Sequence, residues 1–370
     1  MSLRERLSAE IAANGPLTVA QYMSACLHDP DFGYYATRPA LGETGDFITA
    51  PMISQMFGEL IGVWAASAWD LMGRPDPVRL VEMGPGDGTL MDDILRTARV
   101  MPEFLEAADV WLVETSAPLR RLQTRRLGDT VRWAAALEEV PGEAPLLLVA
   151  NELLDCLPAR QFIRTRIGWA EQVVGLDAAG NLTFGLSPTP AAGLLPDAAQ
   201  GQVYEQSAAQ ASLGAELGAR VARDGGAALL IDYGHAEPGF GDTLQALSRH
   251  QTVDPLTSPG EADLTIHADF PAVMDAARAE GACADILTQA AFLARMGIGA
   301  RAEALVAARP GRTGTLGRQL NRLVSSEEMG ELFKACVIHS PDWTPPAFED
   351  LPAFEDAAPL ETWAPLDKWE

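Results

Sequence analysis

Between Val78 and Leu95 the chain reads VRLVEMGPGDGTLMDDIL. Val78, Leu80, Val81 and Met83 form an apolar run of strand length, which the turn Gly84-Pro85-Gly86-Asp87-Gly88 breaks at once. An amphipathic pattern follows, with Leu90, Met91, Ile94 and Leu95 on one side and Asp92 and Asp93 on the other. Strand, glycine turn, helix is the first unit of a doubly wound α/β domain, whose ligands sit at the carboxyl ends of the strands. Glycines let the backbone approach a ligand, and the helix start leaves unpaired amides beside it. Thr89 stands where a dinucleotide fingerprint places its third glycine. Glu82 puts a carboxylate at the strand end, where it would repel a pyrophosphate and attract a cation. A purely structural glycine turn is the plainer reading of the same residues.

Outward from this unit, Val110–Val113 reads as a second strand ending in Glu114, 26 residues beyond Gly88. An acidic residue at that place can accept both ribose hydroxyls of an adenosine ligand. Ser116 then caps a helix with Pro118 in its first turn. Val131–Trp133 is a third short strand. Leu146–Ala150 is a fully apolar fourth strand, which ends in Asn151-Glu152-Leu153-Leu154-Asp155-Cys156. Asn151, Glu152 and Asp155 therefore emerge at the strand end as candidate ligand groups, with a plain helix cap by Asn151 as the alternative. Residues 160–186 switch to a period of two and predict an inserted antiparallel meander. Ala227–Ile231 is a fifth buried strand, and helices are expected from about 271 to 336. Upstream, Thr18 and Gln21 form a capping box, and a long loop rich in Gly, Pro and aromatics leads through Gly45-Asp46-Phe47 into a helix. The expected organisation is an N-terminal helical cap and active-site loop (1–75), a core with an insertion near 160–186 (76–250), a helical part (251–340) and an acidic, proline-rich tail (341–370).

A net charge of −24 argues against nucleic acid as a partner, because phosphate contacts need a basic face. No apolar run approaches the roughly 20 residues of a membrane span. The four cysteines, Cys26, Cys156, Cys283 and Cys336, form no C-x-x-C pair and the five histidines are scattered, so no metal site can be read. Widely spaced cysteines suggest a reducing compartment, and the expected location is the cytoplasm of a bacterium. Whether the chain works alone or as a homodimer stays open.

The E-x-G-x-G-x-G pattern of Glu82, Gly84, Gly86 and Gly88 resembles motif I of class I S-adenosylmethionine-dependent methyltransferases. Across residues 15–337 the chain resembles the MidA family, relatives of the mitochondrial complex I assembly methyltransferase. The segments that carry this are GYYATRPALGETGDFITAP, VEMGPGDGTL, ANELLDCLPARQF, LLIDYGH, DPLTSPGEADLTIHADF and MGELFK. The resemblance implies an α/β, class I (Rossmann-like) fold with a helical N-terminal cap and inserted strands. It also implies S-adenosyl-L-methionine as methyl donor and, in the mitochondrial relative, an arginine on a complex I subunit as acceptor. Glu82, Gly84, Pro85, Gly86, Asp87, Gly88, Glu114 and Asn151 are the expected cofactor contacts. A protonated guanidinium is a poor nucleophile, and carboxylates can localise its charge and orient one nitrogen. Glu152 is the first candidate for that clamp, Asp155 or Asp46 the second, and His267 or Asp269 a candidate proton acceptor. Two other readings keep the same cofactor site: a methyltransferase of a small molecule or another residue, and an assembly chaperone that binds cofactor without turnover.

Overall fold

The computed structural model describes residues 2–37, 49–191, 195–248 and 251–349. Its largest sheet contains eight strands, seven of them in one continuous order: β1 Val78–Met83, β2 Ala108–Val113, β3 Arg132–Ala134, β4 Leu146–Asn151, β5 Gly226–His235, β6 Cys283–Thr288 and β7 Phe333–His339. Their order across the sheet is β6-β7-β5-β4-β1-β2-β3, with Ala268–Asp269 added at the end of β5. β1 to β5 run parallel, whereas β7 is antiparallel to both β5 and β6. From β1 the chain moves outward to β2 and β3, then returns to β4 on β1's other side. The order reverses there, and a crevice opens beyond the ends of β1 and β4.

Both faces of the sheet are covered, so its strands are apolar on both sides. Leu80, Leu147, Val149, Leu229 and Ile231 join a core shared with the helices Gln55–Leu71 and Thr89–Ala98. Val81, Leu146, Leu148, Ala228 and Leu230 alternate with them into a second core, closed by the helices Ala208–Asp224 and Phe270–Ala279. The stripe on Gln55–Leu71, from Met56 through Trp64 to Ala68, is core packing.

A third core lies at the N-terminus, where the helices Leu3–Asn14 and Val19–His28 meet Cys156, Val174, Leu264 and Ile266. Thr18 caps the second of these helices in the expected capping box with Gln21. The inserted meander forms as strands Arg160–Thr165, Gly168–Leu176 and Leu182–Pro190. Leu17–Thr18 pairs antiparallel with Val174 and Val173 of its middle strand. Cap and insertion are thus one body, although more than 140 residues separate them in sequence.

The structure departs from the sequence expectation in two places. The meander, expected over 160–186, runs further, because its third strand continues to Pro190. The region 271–336, expected to be helical throughout, contains β6 and most of β7. CADILT and FKACVIH are only six and seven residues long, a length at which period alone does not separate strand from buried helix. The described start of the acidic tail packs on the body: Phe348 lies against Phe292 with ring centroids 6.0 Å apart, and Arg295 donates to the Ala347 carbonyl at 2.9 Å. Trp363 and Trp369 lie outside the described residues. Among the described residues no helix is long and apolar enough to cross a membrane.

Candidate active site

The crevice at the reversal point holds a cavity of about 270 Å³. Its floor is the turn after β1. Gly84, Gly86 and Gly88 all take left-handed backbone, with φ of 64°, 54° and 85°. Glycine adopts that region without a Cβ penalty, and the bend brings bare backbone to the cavity wall. A Cβ at Gly84 would also stand 3.0 Å from Leu153, so the first glycine keeps β1 close to the segment after β4. Gly88 begins the helix Thr89–Ala98 without a side-chain cap of its own. Asp87 serves instead, accepting from the Thr89 amide at 3.0 Å and pairing with Arg126 at 2.8 Å.

Glu82 is buried at 3% exposure, and its Oε2 has no hydrogen-bond partner. Burial, with the nearby Asp87 charge, pushes its carboxyl up to about 8. Asn151 presents a second orphaned acceptor, Oδ1, to the same cavity. Buried acceptors of this kind are costly unless a donor arrives. Glu114, at the end of β2, is braced: Oε1 accepts from the Ser116 amide at 2.6 Å and Oε2 from Gln123 Nε2 at 3.4 Å. Gln123 is fully buried and also donates to the Gly86 carbonyl at 2.8 Å, tying the glycine turn to β2.

The other end of the cavity is built from the segment after β4. Glu152 carries positive φ, 53°, unusual for a non-glycine residue and the sign of a tightly held turn. Its Oε1 accepts from the Ala50 amide at 3.2 Å and from Asn151 Nδ2 at 2.9 Å. Burial, with Asp155 adding to it, pushes this carboxyl up to about 7. Asp155 is buried and accepts from Tyr233 Oη at 2.8 Å. Opposite stand His28 and Tyr35, with Tyr35 Oη donating to Asp263 Oδ1 at 2.9 Å. His28 contacts the Cys156 carbonyl at 3.4 Å, and burial keeps its imidazole below the ordinary value.

The structure brings together around one cavity Glu82, Gly84, Pro85, Gly86, Asp87, Glu114, Asn151, Glu152 and Asp155. Gly88 supports the turn from just behind it. His267 does not line the cavity; its Nδ1 is 3.3 Å from His235 Nε2, and burial with the His235 charge pushes it down to about 4. Asp269 caps the helix Phe270–Ala279 by accepting from the Ala272 amide. Asp46 and most of its loop lie outside the described residues. His28, Tyr35, Asp263 and Gln123 escaped the sequence reading. The signal for Asp263 was there, an acidic residue in the compact polar stretch 254–270, but nothing local placed it beside β4.

Six carboxyl groups line this cavity: Glu82, Asp87, Glu114, Glu152, Asp155 and Asp263. Among the described residues lining it there is no lysine or arginine. A family model for S-adenosyl-L-methionine-dependent methyltransferases matches residues 60–288. The mitochondrial protein arginine methyltransferase NDUFAF7 of Danio rerio is 36% identical over 363 residues, 90% of this chain and 86% of its own. The Homo sapiens protein of that name is 36% identical over 358 residues, covering 88% and 81%. The crystal structure of a Burkholderia thailandensis protein bound to S-adenosyl-homocysteine shares the fold with a TM-score of 0.81 at 29% identity, over 94% of each chain.

Proposed function

This chain belongs to the S-adenosyl-L-methionine-dependent methyltransferase family, and from that premise we propose that it methylates an arginine side chain of a protein. The observation that carries this reading is the lining of the cavity, six carboxyl groups with no lysine or arginine among the described residues that line it. Such a site favours positive charge on both of its occupants. The relatives' name, protein arginine methyltransferase, agrees with a cationic acceptor. A respiratory complex I subunit is the acceptor that the family resemblance suggests, and the bacterial cytoplasm is where we place the work.

The cofactor fits the groups present. Glu82, with its orphaned oxygen, would meet an ammonium, Glu114 the ribose hydroxyls, and the glycine turn would lie against the ligand with bare backbone. The bound cofactor supplies an electrophilic methyl group on a sulfonium. The protein's own contribution is then to orient the acceptor and take a proton. Glu152 ends β4 beside β1 and faces the same space, so a guanidinium on its carboxylate would point one nitrogen toward the cofactor side. Holding reacting atoms in a near-attack arrangement supplies several kcal/mol of the barrier reduction. Because Ala50 and Asn151 hold Oε1, little reorganisation is needed when the acceptor arrives.

The test is incubation with methyl-labelled S-adenosylmethionine and bacterial lysate, then acid hydrolysis and mass spectrometry of labelled bands. Labelled methylarginine is the expected product. Label on another residue or a small molecule would redirect the acceptor, and cofactor binding without any labelled product would favour the chaperone reading.

A further inference from the structure

β5 ends in Ile231-Asp232-Tyr233, and neither polar side chain lines the cavity. Both are nonetheless buried, Asp232 at 1% and Tyr233 at 5% exposure. Asp232 Oδ2 accepts from the amides of Leu154 at 2.7 Å and Asp155 at 3.2 Å, while Oδ1 accepts from the Tyr233 amide at 2.9 Å. The Asp232 side chain therefore fixes the turn that follows Glu152. Tyr233 Oη donates to Asp155 Oδ2 at 2.8 Å, and Asp155 does line the cavity. One strand thus sets both the backbone and the carboxyl group of Asp155 from behind.

Building on the arginine reading above, we infer that Tyr233 and Asp232 are positioning residues that prepare Asp155 as the acceptor of the proton lost by the methylated nitrogen. In the step, the acceptor nitrogen bonds to the methyl carbon as the carbon–sulfur bond breaks, and that bond's electron pair stays on sulfur. The proton leaving nitrogen passes to the Asp155 carboxylate, which becomes a carboxylic acid and later returns it to solvent. Every atom and charge is then accounted for. Glu152 orients the acceptor and Asp155 takes the proton, so the two carboxyl groups have separate tasks.

The surroundings of Asp155 suit that task. Glu152 and Cys156 face it from its own segment, Asp232 and Tyr233 from β5, and Tyr35 from the helical turn Tyr34–Thr37. Burial raises its carboxyl, while the Tyr233 hydroxyl stabilises the charged form, and the balance lies at about 6. A proton acceptor near the working pH is the most effective kind. Burial, with the Asp155 and Glu152 charges beside it, pushes Asp232 well above the carboxylate range, so Asp232 is neutral while Asp155 titrates, and losing the Tyr233 donor should move the Asp155 midpoint.

The experiment measures that movement directly. Full-length protein labelled with ¹³C at aspartate carboxyls is titrated by NMR, the Asp155 signal being assigned with Asp155→Asn. Tyr233→Phe removes the donor to the charged form and is expected to raise the Asp155 midpoint by about one pH unit. Asp232→Asn keeps a neutral side chain of the same shape, since burial and the Asp155 and Glu152 charges hold Asp232 protonated, and is expected to leave the midpoint in place. A merely structural role for Tyr233 would leave the midpoint unmoved in Tyr233→Phe. On the substrate that the wild type methylates, Tyr233→Phe should cost about fivefold in kcat at pH 6 and little at pH 8, with unchanged KM, as a one-unit shift of that midpoint requires. An unmoved midpoint in a folded Tyr233→Phe that binds S-adenosyl-homocysteine normally overturns the inference, as does full activity of Asp155→Asn. If the midpoint shifts as stated but the wild type labels no arginine, the positioning of Asp155 stands and the arginine acceptor falls.

Discussion

Glu82 and Glu152 end neighbouring strands, β1 and β4, and face the same cavity, yet the fold holds them differently. Glu82 Oε2 is left without a partner, and the groups acting on this carboxyl come from the glycine turn and the helix that follows it. Glu152 is gripped by the Ala50 amide, Asp155 by Tyr233 and Asp263 by Tyr35, donors that lie 78 to 228 residues away in sequence. The cofactor end thus leaves a buried acceptor for its ligand to satisfy, whereas the opposite end is braced before any ligand arrives. A cofactor of fixed structure can be met by one local motif. Aiming one nitrogen of a protein side chain demands rigidity, and that is assembled from several parts of the fold.

The contrast breaks most visibly if the glycine turn is altered. Gly86→Val should abolish cofactor binding in calorimetry while circular dichroism remains native, because a β-branched residue is forced into positive φ beside the ligand. Binding at wild-type affinity would show that the turn is not the cradle. Glu152→Gln tests the braced end. It keeps the shape and the hydrogen bonds to Oε1, so cofactor affinity should hold. Losing a charged hydrogen bond of about 1.5–3 kcal/mol should slow single-turnover methyl transfer at least 10- to 150-fold. Equal loss of cofactor binding would erase the division between the two ends.

Glu114→Ala should weaken S-adenosyl-homocysteine binding by about 1–3 kcal/mol and leave the acceptor KM unchanged. The sharpest test of the comparison is a pH slope. Glu82 without ligand stays protonated up to about 8. A bound ammonium favours its ionised form, so binding below that pH must release a proton. Between pH 6 and 8 the affinity should rise with pH by up to about tenfold per unit, then level off. Glu82→Gln should flatten that slope, and calorimetry in buffers of different ionisation heat would count the proton.

The same division governs what could be read from the sequence. Glycine spacing, the strand before it and the acidic residue after the next strand are local patterns, and the structure places all of them at the reversal point of the sheet. At the braced end only Asn151, Glu152 and Asp155 were visible, since they follow an apolar strand directly. Tyr35, Asp263 and His28 reach the cavity because Leu17–Thr18 joins the meander and because residues 263–266 pack on the cap. Such contacts are set by tertiary pairing, and no periodicity announces them. β6 and β7 were missed for a related reason, as segments of six and seven residues are too short to carry a distinguishing period.

The place of β7 in the sheet also bears on how the protein is made. Seven residues near the end of the described chain, Phe333–His339, lie between β5 and β6 and pair with Ala227–Tyr233 along one edge of β5. A ribosome adding about 5–20 residues per second releases β5 on the order of ten seconds before β7. Through that interval the apolar strand Ala227–Ile231 has an open edge on the side of its missing neighbour, a template for pairing with another chain. Synthesis speed and chaperone supply, rather than the stability of the finished sheet, should therefore govern how much of this protein reaches its native form.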